Sequence, residues 1–240
     1  MMAPFILFLL ISAASPDPIA EWRVFVTSVR DQTIRKEEAK KQFPPLFNAL
    51  KDICRKYPFE QARSWIFPLR GYGIKDVGAG GFRPGIRYGS SPVKGYDFYD
   101  GNRHGGHPAY DIFIHDRNQD TLDDATRKPV AVLAPVDLLI LSAESDWKPN
   151  SEIRGGRYVW ALDPLHDQIF YFAHLNEVYV RPGAFSKAGS AIGTVGRTGT
   201  NASPSRSPTH LHFMVLTAKG NALIPFDYLD KLKTPLPSIP

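Results

Sequence analysis

Apolar and polar positions along the chain change rhythm at Trp65. Upstream, Leu46, Leu50, Ile53 and Cys54 recur at the spacing of one helix face. Pro44 and Pro45 interrupt that stretch. Proline lacks an amide hydrogen and crowds the preceding turn, so the pattern predicts two short helices parted at the proline pair. Downstream, the apolar runs are short and punctuated by Gly, Pro and Asn: IFPL, YDIFI, VAVLAPVDLLIL, GRYVWAL, QIFYFAHL, AIGTVG and LHFMVL. Such runs between turn residues predict strands, and no helical stretch separates them as a βαβ unit would require. The expected fold is mostly β, an antiparallel sandwich or barrel-like sheet preceded by short N-terminal helices.

Four segments follow from this reading: a leader at 1–15, a helical appendage at 16–67, the β-rich domain at 68–230 and a proline-rich tail at 231–240. In the leader, an apolar run from Phe5 to Ala14 ends in Ala13, Ala14 and Ser15 before Pro16, the layout of a secretory signal's core and cleavage region. It carries no Lys or Arg, and it is too short to span a bilayer. A periplasmic or secreted bacterial protein is expected, with no stable membrane span after leader removal.

Composition narrows the chemistry. A hydrophobic fraction of 43% supports a substantial core, and the net charge of +5 is small. The basic run Arg35, Lys36, Lys40 and Lys41 is broken by Glu37 and Glu38, which reads as a solvated helix face; no nucleic-acid partner is expected. Cys54 is the single cysteine, which excludes an internal disulfide and a thiolate metal site.

Histidines and one carboxylate carry what remains. In THLHFMVL, strand alternation puts His210, His212 and Met214 on one face and Leu211, Phe213 and Val215 on the other. In QIFYFAHL the same rule groups Phe170, Phe172 and His174, so a third imidazole stands at that strand's end. His107 and Asp111 run into the apolar stretch Ile112 to Ile114. Catalytic zinc sites take three nitrogen or oxygen ligands from protein and keep one position for water, a composition that two histidines and an aspartate satisfy. Each element alone is a weak signal, since an isolated His-x-His is common in strands.

Two nearby stretches invite rival readings. Asp116, Asn118, Asp120 and Asp124 have the spacing of cation ligands, but no glycine stands at the sharp turn and no closing Glu follows, so the insert reads as a solvated loop. GTVGRTG lacks the Lys-Ser/Thr end of a phosphate loop and reads as a tight turn delivering His210, with Gly193, Gly196 and Gly199 supplying backbone freedom. His104 and His115 flank the His107 segment as non-ligands, with His115 nearer the groove by strand parity. Tyr96, Tyr110 and Arg83 are groove candidates by proximity in sequence alone.

Taken together, GGHPAYDIFI, YFAHL and GTVGRTGTNASPSRSPTHLHF resemble the lysostaphin-type, LytM-like zinc endopeptidases, peptidoglycan hydrolases of the duplicated hybrid motif fold. A His-x-x-x-Asp pair, a separate His, a Gly-rich turn and His-x-His occur in that family's order over Gly71 to Tyr228. The resemblance implies a peptidase domain with a loop-walled groove and one Zn2+ per chain. It also implies His107, Asp111 and His212 as metal ligands, and His174 and His210 as the catalytic pair, without saying which is the general base. The implied reaction is hydrolysis of peptide bonds, with peptidoglycan crosslinks or another peptide as substrate. A non-catalytic wall-binding or regulatory module on the same fold is the alternative. The chain departs from the family at Ala109, where glycine is usual, and in its acidic insert and its Ser- and Pro-rich loop before His210.

Overall fold

The computed structural model describes residues 17–79, 81–88, 91–93 and 95–233. The leader segment 1–15 lies outside these residues, as does most of the expected tail.

Helix α1 spans Pro18–Arg30. Its start is dictated locally: Asp17 is extended and its carboxylate accepts the Ile19 amide at 3.0 Å, and Pro18 occupies the first turn, where an amide hydrogen has no helical partner. Helix α2 spans Lys36–Cys54 and runs through Pro44 and Pro45, so the break between helices falls before Lys36 and not at the prolines. An interior proline costs about 3 kcal/mol or more. Burial offsets this, because Ala39, Phe43, Leu46, Phe47, Leu50 and Cys54 are all 7% exposed or less, and each large apolar side chain so buried contributes roughly 1.5–3 kcal/mol.

The strands are β1 (Ile86–Tyr88), β2 (Ser91–Val93), β3 (Ala109–Phe113), β4 (Ala131–Leu133), β5 (Leu138–Glu144), β6 (Arg157–Asp163), β7 (Gln168–Val178), β8 (Phe185–Ser186), β9 (Ala191–Val195), β10 (His210–Lys219) and β11 (Ala222–Pro225). β1 and β2 form a separate hairpin. The rest make one nine-stranded sheet in the order β11-β10-β7-β6-β5-β8, with β3 beside β10 and β9 pairing both β7 and β4. All its pairings are antiparallel. Among the described residues the ends of this path do not pair, so the sheet is not closed.

Period-2 alternation divides the core in two. Phe170, Phe172, Leu211, Phe213 and Val215 join Ile112, Val132 and Ile192 on the back face. On the front face, Trp160, Leu162, Ile169, Met214 and Leu216 meet Trp22, Phe25, Phe43 and Leu50 of the helices. The Trp22 and Trp160 rings lie edge to face with centroids 6.2 Å apart. Lys36 bridges Asp97 at 2.6 Å, and Lys51 pairs with Asp167, so the helices are also tied polarly to the sheet side.

Residues after Pro225 also join the core. Helix α3 (Leu229–Lys233) buries Leu232, and Tyr228 is fully buried, so the chain up to Lys233 is not a tail. The Tyr228 hydroxyl accepts the Tyr110 amide at 3.1 Å and donates to the Phe213 carbonyl. Tyr110 and Phe213 are register partners, so this hydroxyl clamps β3 to β10 beside the neighbouring pair Asp111 and His212.

Candidate metal centre

The site lies on the front face, where β3, β10 and β7 meet. Asp111 faces His212 across the β3–β10 ladder, and their side chains therefore emerge side by side. His107 stands just before β3. Its backbone exchanges hydrogen bonds with Arg83 at 2.7 and 2.8 Å, and its Nδ1–H donates to the Gly81 carbonyl at 2.5 Å. A carbonyl can only accept, so the hydrogen sits on Nδ1 and Nε2 is left bare. That Nε2 lies 3.4 Å from Asp111 Oδ1, and His212 Nδ1 lies 3.0 Å from the same oxygen.

Donor atoms of His107, Asp111 and His212 all fall within 4.8 Å of one another. Ligands about 2.1 Å from a tetrahedral zinc are roughly 3.4 Å apart, and zinc takes just this kind of nitrogen and carboxylate donor. The residues present therefore fit the ion. Their electrostatics fit as well. Burial opposes ionisation of Asp111, yet contacts from His107 and His212 hold its carboxyl far below the usual range, so it is anionic at neutral pH. Burial alone would push His107 down, but Asp111 outweighs it and raises the imidazole above its ordinary value.

Beside this cluster stand His210 and His174, with ring centroids 5.0 Å apart. His210 follows the expected alternation on β10, and its Nδ1–H donates to the Pro208 carbonyl at 2.8 Å. His174 does not follow it. It has a positive φ of 65°, and the β6–β7 register slips between Arg157 and Val159. Tyr158 alone thus opposes both Ala173 and His174. This bulge turns His174 away from Phe172 and toward His212, 5.6 Å away between ring centroids. A non-glycine residue in this left-handed region costs roughly 1–2 kcal/mol.

The Gly-rich turn holds that bulge in place. Thr198 accepts the His174 Nδ1–H through its carbonyl at 2.8 Å, while its hydroxyl accepts the Arg157 amide and donates to the Leu175 carbonyl, both at 2.8 Å. At Gly199 the backbone needs φ +98°; at Gly196 the need is close approach, since a Cβ there would lie 2.4 Å from the Asn176 nitrogen. The turn's direct partner is thus His174, not His210. Burial, reinforced by His212 and His210, pushes His174 down to about 3, and burial also lowers His210. Both rings are neutral near pH 7 and both present a bare Nε2.

The acidic insert braces His210 from behind. Asp116 is buried and accepts the amides of Asp120 and Thr121 at 3.0 and 2.9 Å and the Thr209 hydroxyl at 2.6 Å. Arg197 donates to the carbonyls of Ser207 and Pro204 at 2.6 and 2.9 Å. The insert is thus a buttress at Asp116, while Arg117, Asn118 and Asp120 remain exposed as in a solvated loop.

The remaining sequence candidates separate clearly. His104 and Tyr96 line the site's cavity, but His115 is largely exposed beside Asp76 and Tyr72, which reverses the expected order of the two flanking histidines. Tyr110 points into the back core, where its hydroxyl donates to Asp227 at 3.0 Å, and Arg83 contributes backbone pairing. Residues not singled out from the sequence also line the cavity: Val26 and Val29 of α1, Arg154, Trp160 and Tyr171. The strand parity of Trp160 and Tyr171 was a usable signal for two of them. Nothing in the sequence marks α1 as a neighbour of the histidines.

Residues 119–225 match the family model described as Peptidase family M23. That match bears out the resemblance read from the motifs. The M23 span carries His174, His210 and His212 and includes β4 to β11, whereas His107 and Asp111 precede it and reach the site through the β3–β10 ladder. Among solved structures, the chain is similar to the antimicrobial peptidase lysostaphin from Staphylococcus simulans, at 23% identity over 54% of this chain and 44% of that one, with a TM-score of 0.37. The catalytic domain of lysostaphin matches at 19% identity over 73% of this chain and 93% of that one, TM-score 0.39. A zinc containing peptidase from Vibrio cholerae matches at 19% identity over 73% and 41%, TM-score 0.41. The chain therefore spans less than half the length of whole lysostaphin and of the Vibrio protein. No curated protein matches the chain.

Proposed function

We propose that this chain is a zinc-dependent endopeptidase that hydrolyses peptide bonds outside the cytoplasm, with peptidoglycan crosslinks as its first substrate class and a non-wall peptide as its second. The observation that carries the reading is the convergence of His107, Asp111 and His212 donor atoms within 4.8 Å beside two buried neutral imidazoles. When bound, Zn2+ supplies a Lewis acid and lowers the pKa of water to about 7. His107 Nε2, His212 Nδ1 and the Asp111 carboxylate would hold the ion.

The rest is the work of His174 and His210. Their Nδ1–H groups are committed to the Thr198 and Pro208 carbonyls, so each offers Nε2 as a proton acceptor. One of them takes the proton of the attacking water. Once protonated, its Nε2–H becomes a donor, first to the oxyanion and then to the departing amine, so that amide and water become carboxylate and amine. The other orients the water or substrate from the neighbouring position. Asp111 stays ionised throughout.

Incubation of the zinc-loaded protein with peptidoglycan sacculi tests this directly. New amino ends that vanish with a zinc chelator and return with added Zn2+ are expected. Binding without release of fragments would favour a non-catalytic wall-binding module, and cleavage only of an unrelated peptide would select the second substrate class.

A further inference from the structure

The cavity that opens on the histidines continues past them. It has a volume of about 380 Å3, and His107, Asp111, His174, His210 and His212 are among the residues that line it. Val26 and Val29 of α1 line it too, with Phe98, Trp160, Tyr171 and Met214 of the same packed cluster, and Arg30, Arg154 and Tyr158 add polar groups to the lining. The apolar groups form a continuous surface: the Tyr171 ring lies 6.2 Å from His212 and 4.3 Å from Trp160, and Phe98 meets Trp160 edge to face at 6.1 Å. Val26 and Val29 stand one helical turn apart on α1, so the N-terminal helices complete the wall as well as packing on the sheet.

An apolar chamber joined to a reactive centre recognises what sits next to the reacting bond. Glycine there would leave the chamber to water and its wall hydrated, whereas a large apolar side chain removes both surfaces from water. We infer that this chamber is a specificity pocket that receives an apolar side chain of valine size or larger, carried by a residue flanking the amide to be cleaved. The inference rests on the peptidase reading for its reaction and on the chamber for its selectivity. It sets the chain's preferred peptide apart from an all-glycine bridge.

Two measurements on the full chain separate the inference from the reading beneath it. In the first, the zinc-loaded protein is given a peptide library and the cleaved sites are sequenced. Leu, Val or Phe should be enriched at one flanking position, by at least about tenfold over Gly, since a single methylene in such a pocket is worth about 10- to 200-fold. Cleavage without that enrichment, or at glycine pairs alone, overturns the pocket and leaves the peptidase reading intact. The second uses metal-free protein and needs no turnover. N-acetyl-leucinamide should shift the Met214 methyl and Trp160 indole NMR signals saturably, and N-acetyl-glycinamide should not. Equal or absent shifts overturn the pocket even if no peptide is cleaved; selective shifts with no cleavage keep the pocket and remove the peptidase. Val26→Phe, which fills the chamber, should abolish the leucinamide shifts, and the wild-type titration decides alone if that variant does not fold.

Discussion

Thr198 offers a sharp test of how the site is assembled. Its hydroxyl sits beside the β6–β7 bulge, where it accepts the Arg157 amide and donates to the Leu175 carbonyl, both at 2.8 Å. Thr198→Val keeps the shape and removes the oxygen. Two backbone groups then lose their partner, each at about 1–3 kcal/mol when buried, so a loss of roughly 2–6 kcal/mol is expected. Thr198→Ser retains the hydroxyl and should stay within about 1 kcal/mol of wild type, because the groups at risk remain paired. Urea unfolding of the two variants reads the difference. Since a kcal/mol shifts Tm by about 2–4 °C for a chain of this size, Thr198→Val should melt at least about 2 °C below Thr198→Ser. The Thr198 carbonyl also fixes the His174 ring, so peptide turnover should fall more in Thr198→Val than in Thr198→Ser while zinc stays bound. If the two variants are equally stable and equally active, the bulge does not depend on this hydroxyl and the account of how His174 is aimed is wrong.

His210→Ala should retain one zinc per chain by elemental analysis and lose about 10²- to 10⁴-fold in turnover; zinc loss on that substitution would make His210 a ligand. Zinc affinity should fall with acid. Protons compete for the ligand nitrogens, and because Asp111 raises His107 above its ordinary value the metal-free protein keeps that proton to a higher pH than a free imidazole. Calorimetric titrations should therefore begin to weaken above the ordinary imidazole pKa of about 6.5 and lose about tenfold per pH unit below it, and equal affinities at pH 8 and pH 5 would refute the ligand set. Calcium should leave Tm unchanged, because the Asp116 oxygens already accept three protein donors. Asp116→Ala, by contrast, should loosen the segment before His210 and lower turnover without removing zinc.

Strand alternation made much of the site legible. It separated Leu211, Phe213 and Val215 from His210 and His212, and the two faces are indeed the back core and the histidine cluster. It misplaced His174, because alternation presumes a regular strand and the left-handed residue that breaks it carries no glycine to announce it. The prolines of α2 misled for the opposite reason: a strong local penalty was outweighed by six buried side chains that only the tertiary packing supplies. Tyr228 lay inside the expected domain but carried no signal of its role, although its hydroxyl locks the register that brings Asp111 to His212. The apolar chamber could not be read at all, since Val26 and Val29 precede the histidines by a long stretch of chain and meet them only across the finished sheet.

The account stands on one ion held by residues from two separate segments. An anomalous difference map collected at the zinc edge from crystals of the zinc-loaded protein should show one strong peak per chain, about 2.0–2.2 Å from His107 Nε2, His212 Nδ1 and an Asp111 carboxylate oxygen. A peak elsewhere, or one that any of these three side chains fails to touch, would contradict it.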